Sequence, residues 1–152
     1  MNALAELMPM ASEGMLPLEA RRAVLAAIDD DLFAAPAESR IEFTNLHDFA
    51  PGMYARSIFM PAGALLTSRI HKTHHFFVVS MGACTVIDSH GGKTFIEAPY
   101  MGRTLAGTKR ALHIHTDTVW TTFHPTKFAT VEECEAELFA DDWATYDAGA
   151  TA

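Results

Sequence analysis

The stretch His71-Lys-Thr-His74-His75-Phe-Phe-Val-Val-Ser-Met-Gly82 opens with histidines, continues as an apolar run and ends at glycine. Its alternation predicts a half-buried β-strand in which His71 and His75, four residues apart, share one face. A polar group at the start of a face that becomes apolar is typical of the mouth of a β-barrel.

A second group of histidines follows further along the chain, at His113, His115 and His124. All three lie on later predicted strands. Imidazoles that come from several strands of one sheet indicate either a metal site or a pocket for acid–base chemistry.

The surrounding sequence predicts an all-β region. Short apolar runs alternate with turn signals, and the predicted strands cover 41–45, 54–60, 64–71, 74–81, 83–88, 93–97, 100–105, 109–116 and 118–124. Met81-Gly82 is interpreted as a tight hairpin connection. Eight or nine short strands at this spacing favour a sandwich or a barrel.

Helices are predicted on both sides of the strands. Residues 17–34 have one apolar stripe after Pro17, and Thr130-Val-Glu-Glu133 is a capping box that predicts a second helix. We therefore divide the single domain into an arm and helix (1–40), a barrel (41–128), and a helix and tail (129–152). Residues 1–16 are predicted to be a mobile arm or a partner-contact segment.

Composition limits the function. The chain has 152 residues and a formal net charge of −8, which argues against non-specific binding to nucleic acid. No apolar run approaches the roughly 20 residues of a membrane helix, and the first residues have no basic signal-peptide region. The two cysteines, Cys84 and Cys134, are expected to be reduced and buried. These features predict a cytoplasmic protein without membrane or nucleic-acid partners.

The strand rhythm and the positions of its glycines resemble those of a small single-domain cupin, over roughly residues 41–124. Gly63 opens and Gly82 closes the first cupin motif, whose glutamate position falls on His75 and whose second histidine falls on His71. The first histidine position falls on Arg69, and the histidine of the second motif falls on Arg110. Gly107-Thr-Lys-Arg110 and the run 117–124 also resemble uncharacterised cupin-like proteins of phages and prophages.

This resemblance implies a double-stranded β-helix jelly roll with flanking helices, pairing as a homodimer. It also implies a site in the barrel mouth, but arginines at two of the four ligand positions repel a cation. A metal would therefore need other ligands. We expect His71, His75 and His124, with His115 as a further candidate, to suit zinc, iron, nickel or manganese.

A pocket without a metal stays open as the alternative. Arg69 and Arg110 would hold a carboxylate or phosphate, with His71 or His75 as general base. This resembles the metal-free sugar-nucleotide epimerase and ketoisomerase branch of cupins. Tyr54 and Trp120 are further candidates for contact with a ligand.

Three functions remain from the sequence. The first is a small-molecule enzyme at the barrel mouth, either a metal-dependent lyase, isomerase or dioxygenase, or a metal-free isomerase. The second is a binding or sequestering module for a small anionic ligand. The third is a scaffold that interacts with other proteins.

Overall fold

The fold was analysed in a computed structural model, which describes residues 16–150. Apart from Leu16, the predicted N-terminal arm lies outside these residues. Within this range the chain has three α-helices, α1 (Leu18–Ala34), α2 (Val131–Leu138) and α3 (Trp143–Ala150), one short 3-10 helix at Ala37–Ser39, and nine strands. The strands are β1 (Thr44–Ala50), β2 (Met53–Met60), β3 (Leu65–Thr67), β4 (Ile70–His71), β5 (His75–Asp88), β6 (Lys93–Glu97), β7 (Tyr100–Thr104), β8 (Arg110–Pro125) and β9 (Phe139–Ala140).

Two long antiparallel strands, β5 and β8, organise the molecule. The first half of β5 pairs with β7 and its second half with β6, while β8 pairs with β3 near its start and with β2 near its end. Strand β1 extends the sheet beyond β2. The strands therefore divide into two groups, β1-β2-β8-β5-β7 and β3-β8-β5-β6, joined by the two strands that run through both.

The main core lies between these two groups of strands. Its buried residues come from both halves of β5 and of β8: Phe77 and Trp120 from one group, and Cys84, Val86 and Ile114 from the other. Since side chains from both groups pack into one cluster, the groups face each other as two layers. The predicted burial of Cys84 is confirmed, and Cys134 is also a buried free thiol.

The predicted hairpin at Met81-Gly82 is wrong, because residues 75–88 form one continuous strand. The register between β5 and β8 shifts on either side of Met81, as at a β-bulge. Gly82 has φ +89°, and a Cβ there would lie 2.2 Å from the Asp117 carbonyl oxygen. Glycine therefore permits both the left-handed backbone and the close approach of β8.

The prediction that His71 and His75 lie on one strand is also wrong. His71 ends β4, which pairs with β9, whereas His75 begins β5 after residues 72–74. The two histidines still meet, because the chain bends between them and brings the rings together from separate strands. Alternation along a single strand is therefore not the reason for their contact.

The helices cover the outside of the strands. Helix α1 agrees with the predicted range, and its Leu25 and Ile28 pack on Ile87 and Ala111. The helix predicted after Thr130 is confirmed, and Thr130 caps it, since Oγ1 accepts a hydrogen bond from the Glu133 backbone N–H and donates to Glu133 Oε2. Among residues 16–150, no helix combines the length and apolar character needed to cross a bilayer.

Candidate functional site

Three of the predicted site histidines lie together at one end of the core. The ring centroids of His71 and His75 are 4.8 Å apart, and those of His75 and His124 are 4.3 Å apart. All three side chains are buried. Strands β4, β5 and β8 each supply one of them, and the Phe139 ring of β9 packs edge-on against His71 and His124.

Each of these histidines has a ring nitrogen that is buried without a hydrogen-bond partner: His71 Nδ1, His75 Nε2 and His124 Nδ1. A buried polar atom without a partner costs about 1–3 kcal/mol, so three such atoms on neighbouring rings call for an explanation. The protonation of the opposite nitrogens determines whether these atoms carry lone pairs.

A backbone oxygen assigns the tautomer of His75, and a hydroxyl is the partner of His124. His75 Nδ1 lies 3.2 Å from the Thr73 carbonyl oxygen, which can only accept, so Nδ1 carries the proton. The His124 Nε2 atom lies 2.9 Å from Thr122 Oγ1, and this hydroxyl donates to the Arg56 carbonyl oxygen at 3.4 Å. When this hydroxyl donates to the Arg56 carbonyl oxygen, His124 Nε2 is the donor to Thr122 and Nδ1 keeps a lone pair. The unpartnered His75 Nε2 atom is left as a lone-pair donor.

Burial keeps these imidazoles neutral. Desolvation, followed by the charge of Arg110, lowers the pKa of His75 to about 4 despite the opposing Thr73 hydrogen bond. Desolvation, with smaller contributions from His75 and Arg56, lowers the pKa of His124 to about 3. The pKa of His71 is also well below its ordinary value, mainly through desolvation. Neutral imidazole is the form that binds metals, and it is a weak base at these pKa values.

The donor chemistry of the three histidines fits a divalent transition metal, since each offers an unpartnered imidazole nitrogen. As the rings stand, however, residues 16–150 contain no group of three His, Cys, Asp or Glu side chains arranged to hold a metal ion. Binding one ion by all three would require the rings to turn. The histidines therefore offer unpartnered nitrogen atoms, but these atoms do not yet surround one common metal position.

A cavity of about 170 Å³ adjoins His71. Its apolar wall comes from both layers and from β9, and its polar wall includes three arginines. The lining consists of Arg56, Ile58, Met60, Leu66, Thr67, Ser68, Arg69, His71, Arg110, Leu112, Trp120, Thr122 and Phe139. A larger open groove of about 440 Å³ lies between α1 and β3, and none of the predicted site residues lines it.

Arg110 points into the interior, as Leu112, Ile114 and Trp120 of the same strand do. Its side chain is only 8% exposed, and its guanidinium lies 5.2 Å from the Phe77 ring centroid and 5.5 Å from that of Trp120. Nη2 donates to Thr104 Oγ1 at 2.9 Å. Burial lowers the pKa of Arg110 to about 10, so the group still carries its charge at neutral pH.

The other two arginines of the cavity differ in their partners. Arg69 is paired with Asp141 at 2.7 Å and with Glu135 at 3.7 Å, so its charge is already balanced. Arg56 donates from Nε to Asn45 Oδ1 at 3.2 Å. Among residues 16–150, no carboxylate lies within 4.0 Å of the guanidinium of Arg56 or of Arg110.

The remaining predicted site residues lie at different distances from this cavity. Trp120 lines it, as expected of a ligand-contacting residue. Tyr54 is fully buried and its ring stacks on His124, but its hydroxyl lies 2.7 Å from His47 Nδ1 and the residue does not line the cavity. His115 is exposed on the other face of β8, where Nε2 lies 2.7 Å from Thr85 Oγ1. The structure therefore does not bring His115 to the histidine cluster.

Arg56 was missed by the sequence analysis. It lies on β2, where Tyr54, Arg56, Ile58 and Met60 alternate and line the interior or the cavity. A charged residue in an otherwise inward-facing series was the signal that could have identified it.

Comparisons with known proteins support the fold. Neither a protein-family model nor a curated protein matches the chain. Among solved structures, salicylate 1,2-dioxygenase from Pseudaminobacter salicylatoxidans is similar with a TM-score of 0.52 and 17% identity, over 80% of this chain and 35% of that one. Its adduct with gentisate is similar with a TM-score of 0.52 and 16% identity, over 88% of this chain and 34% of that one.

A third solved structure, KdgF from Halomonas sp., has a TM-score of 0.48 and 17% identity, over 59% of this chain and 85% of that one. The chain spans about a third of the length of the dioxygenase chains it matches. At these identities the similarity concerns the fold alone. The chain has a cupin-like fold, in agreement with the resemblance noted in its sequence.

Proposed function

We propose that the chain is a cupin-fold enzyme that acts on a small molecule in the cavity beside His71, and that His71, His75 and His124 hold a divalent transition metal. The observation that carries this proposal is the set of three buried imidazoles, with His75 in contact with both His71 and His124, each of which has a ring nitrogen without a partner. Hydrogen bonds that fix the far side of a metal-binding histidine are a regular feature of such sites. Thr73 and Thr122 supply these bonds here.

The chain's own residues bind and orient the substrate in this proposal. Arg110, fixed by Thr104 and by two aromatic rings, orients an anionic group, and Trp120 provides an apolar wall that excludes water. When bound, zinc, iron, nickel or manganese would supply Lewis-acid or redox chemistry of the lyase, isomerase or dioxygenase type. His71 adjoins the cavity, so the reacting atoms would lie between the histidines and Arg110.

A metal-free reaction with His71 or His75 as general base is less favoured. An efficient general base has a pKa near the working pH, whereas burial lowers the pKa of His75 to about 4. A sugar nucleotide is also large for a cavity of about 170 Å³, since drug-sized ligands occupy roughly 300–1,000 Å³. The cavity volume therefore favours a small substrate, and the low pKa of His75 favours a metal ligand over a general base.

A non-catalytic binding module for a small anion is the second candidate. The observation that favours it is the buried Arg110, whose guanidinium has no carboxylate within 4.0 Å among residues 16–150. Burying a charge away from any close carboxylate is unfavourable, and a bound anion would offset that cost. This function requires the arginine and no metal.

Metal analysis separates the two candidates. Protein purified without chelator is expected to carry about one transition metal ion per chain, and the His124→Ala variant is expected to lose it. His115→Ala is the matched control, because it removes a histidine from the same strand on the opposite face, and it should retain the metal. Elemental analysis by mass spectrometry, with circular dichroism to verify folding, gives the stoichiometries.

Two results would overturn the metal proposal. One is a stoichiometry far below one in the wild-type protein, also after incubation with zinc, iron, nickel and manganese. The other is an equal loss of metal from folded His115→Ala and His124→Ala, which would place the ion elsewhere. Either result would leave the binding module as the better candidate.

A further inference from the structure

We infer that the cavity beside His71 binds a compact monocarboxylate with an apolar body, and that Arg56 and Arg110, not Arg69, hold the carboxylate. The inference deepens the proposed function and rests on it in one respect, namely that this cavity is where a small molecule binds. It assigns a ligand class and adds Arg56 as a specificity-determining residue.

The charge balance of the three arginines carries the first step. Arg69 has two carboxylates as partners, of which the nearer is at 2.7 Å. Arg56 and Arg110 have none within 4.0 Å among residues 16–150, although both line the cavity. A guanidinium offers five N–H donors, and only one on each of these two residues makes a side-chain hydrogen bond to a described residue.

The second step concerns where the guanidinium groups of Arg56 and Arg110, which have no close carboxylate, exert their charge. Arg110 adds positive charge at His71 and His75, and Arg56 adds it at His71 and His124. The two cations therefore act on the histidine cluster from different strands, β8 and β2. An anion in the cavity would lie within the field of both, beside His71.

The size and lining of the cavity set the ligand class. The volume of about 170 Å³ slightly exceeds that of an apolar protein cavity of about 150 Å³ known to take up benzene. Ile58, Met60, Leu66, Leu112 and Trp120 form its apolar part. One planar carboxylate matches the fork of an arginine, and a body about as large as a six-membered ring fills the remaining space.

Benzoate is the probe, and benzamide is its neutral counterpart of the same shape. Isothermal titration is done on the protein as purified and again after removal of metal with a chelator. We expect benzoate to bind at least about tenfold more tightly than benzamide in both preparations. Phenyl phosphate tests the alternative anion, and UDP-glucose tests a ligand too large for the cavity.

Variants assign the residues. Arg56→Gln is expected to weaken benzoate binding about tenfold or more, and Arg56→Lys, which keeps the charge without the fork, less than that. The comparison variant Arg69→Gln should change affinity less than about threefold, because its charge is balanced by Asp141 and Glu135. Arg110→Met completes the series if it folds, and the Arg56 pair suffices if it does not.

Several results would overturn the inference: no benzoate binding to the wild-type protein, equal binding of benzamide, tighter binding of phenyl phosphate, or equal losses in Arg56→Gln and Arg69→Gln. These outcomes are independent of the metal analysis. A chain without metal that prefers benzoate refutes the proposed enzyme and retains the carboxylate site. A chain that holds metal but binds benzamide as well as benzoate refutes the carboxylate site and retains the proposed metal enzyme.

Discussion

Thr122 is the hydrogen-bond partner of His124, with its Oγ1 atom 2.9 Å from Nε2. In the proposed metal site this hydroxyl would accept from Nε2 and donate to the Arg56 carbonyl oxygen at 3.4 Å, which would leave the Nδ1 lone pair for the metal. Thr121, the residue immediately before Thr122, lies on the opposite face of β8, and its hydroxyl is 2.7 Å from Ser57 Oγ. Thr122 can therefore be tested as the residue that positions the His124 ring, and Thr121 serves as its matched control.

We expect Thr122→Val to weaken zinc binding about 10–100-fold, because losing the partner of a metal-binding histidine frees its tautomer and orientation. Thr121→Val should change zinc affinity less than about twofold. Competition with a chromophoric chelator measures the affinity, and thermal unfolding of the metal-free variants shows whether both have similar stability. Equal effects of the two substitutions on zinc affinity would contradict this role of Thr122.

At the residue scale, the sequence predicted which histidines lie close together, but not the strands that bring them together. His71, His75 and His124 meet as expected, yet His71 and His75 come from two strands joined by a bend. Arg69 and Arg110 both reach the cavity, but only a three-dimensional arrangement reveals that Asp141 and Glu135 balance Arg69. Ion pairs between residues distant in sequence leave no periodic signal.

The β-bulge at Gly82 is the main irregular feature at the scale of elements. It allows β5 to pass from one layer to the other while staying paired with β8. The left-handed conformation of Gly82 is combined with a backbone contact that leaves no room for a side chain. Gly52 shares the conformation, with φ +76°, but a Cβ there would meet nothing within 4 Å.

Gly82→Ala is therefore expected to destabilise the protein more than Gly52→Ala. The control should cost about 1–2 kcal/mol for its left-handed alanine. The bulge variant should cost about 1–3 kcal/mol more, because β8 must shift to admit the methyl group. Urea denaturation measures both free energies of unfolding, and equal values would contradict the steric account.

Local signals predicted the regular elements well. The stripe of α1 and the N-cap of α2 depend on residues within a few positions of each other, and both are confirmed. The bulge was mistaken for a turn, because a glycine after an apolar run fits either structure. Pairing with β8 decides between them, and that contact is distant in sequence.

At the scale of the whole molecule, the two layers share one core, and Cys84 lies within it with no exposed surface. Desolvation raises the pKa of the Cys84 thiol to about 11. The homodimer expected from the sequence stays a prediction. Because Cys84 lies between the two layers, the rate at which its thiol reacts with a reagent measures how often the layers open in solution.

We expect Cys84 in a Cys134→Ser variant to react with iodoacetamide very slowly at pH 8. With a pKa of about 11, roughly one thiol in a thousand is the reactive thiolate at that pH, and burial restricts access further. The thiolate fraction should rise about tenfold per pH unit towards pH 11. Mass spectrometry follows the labelling, urea-unfolded protein is the control, and native labelling as fast as unfolded labelling would contradict the prediction.

The short pairing of β4 with β9 has a consequence for protein synthesis. His71 lies against Phe139, which forms one wall of the cavity and is made 15 residues after His124. On the ribosome, a nascent chain that already contains all three histidines still lacks this wall. Packing of the Phe139 ring against His71 and His124 therefore has to wait for β9, and a chain that lacks β9 would leave this side of both imidazoles uncovered.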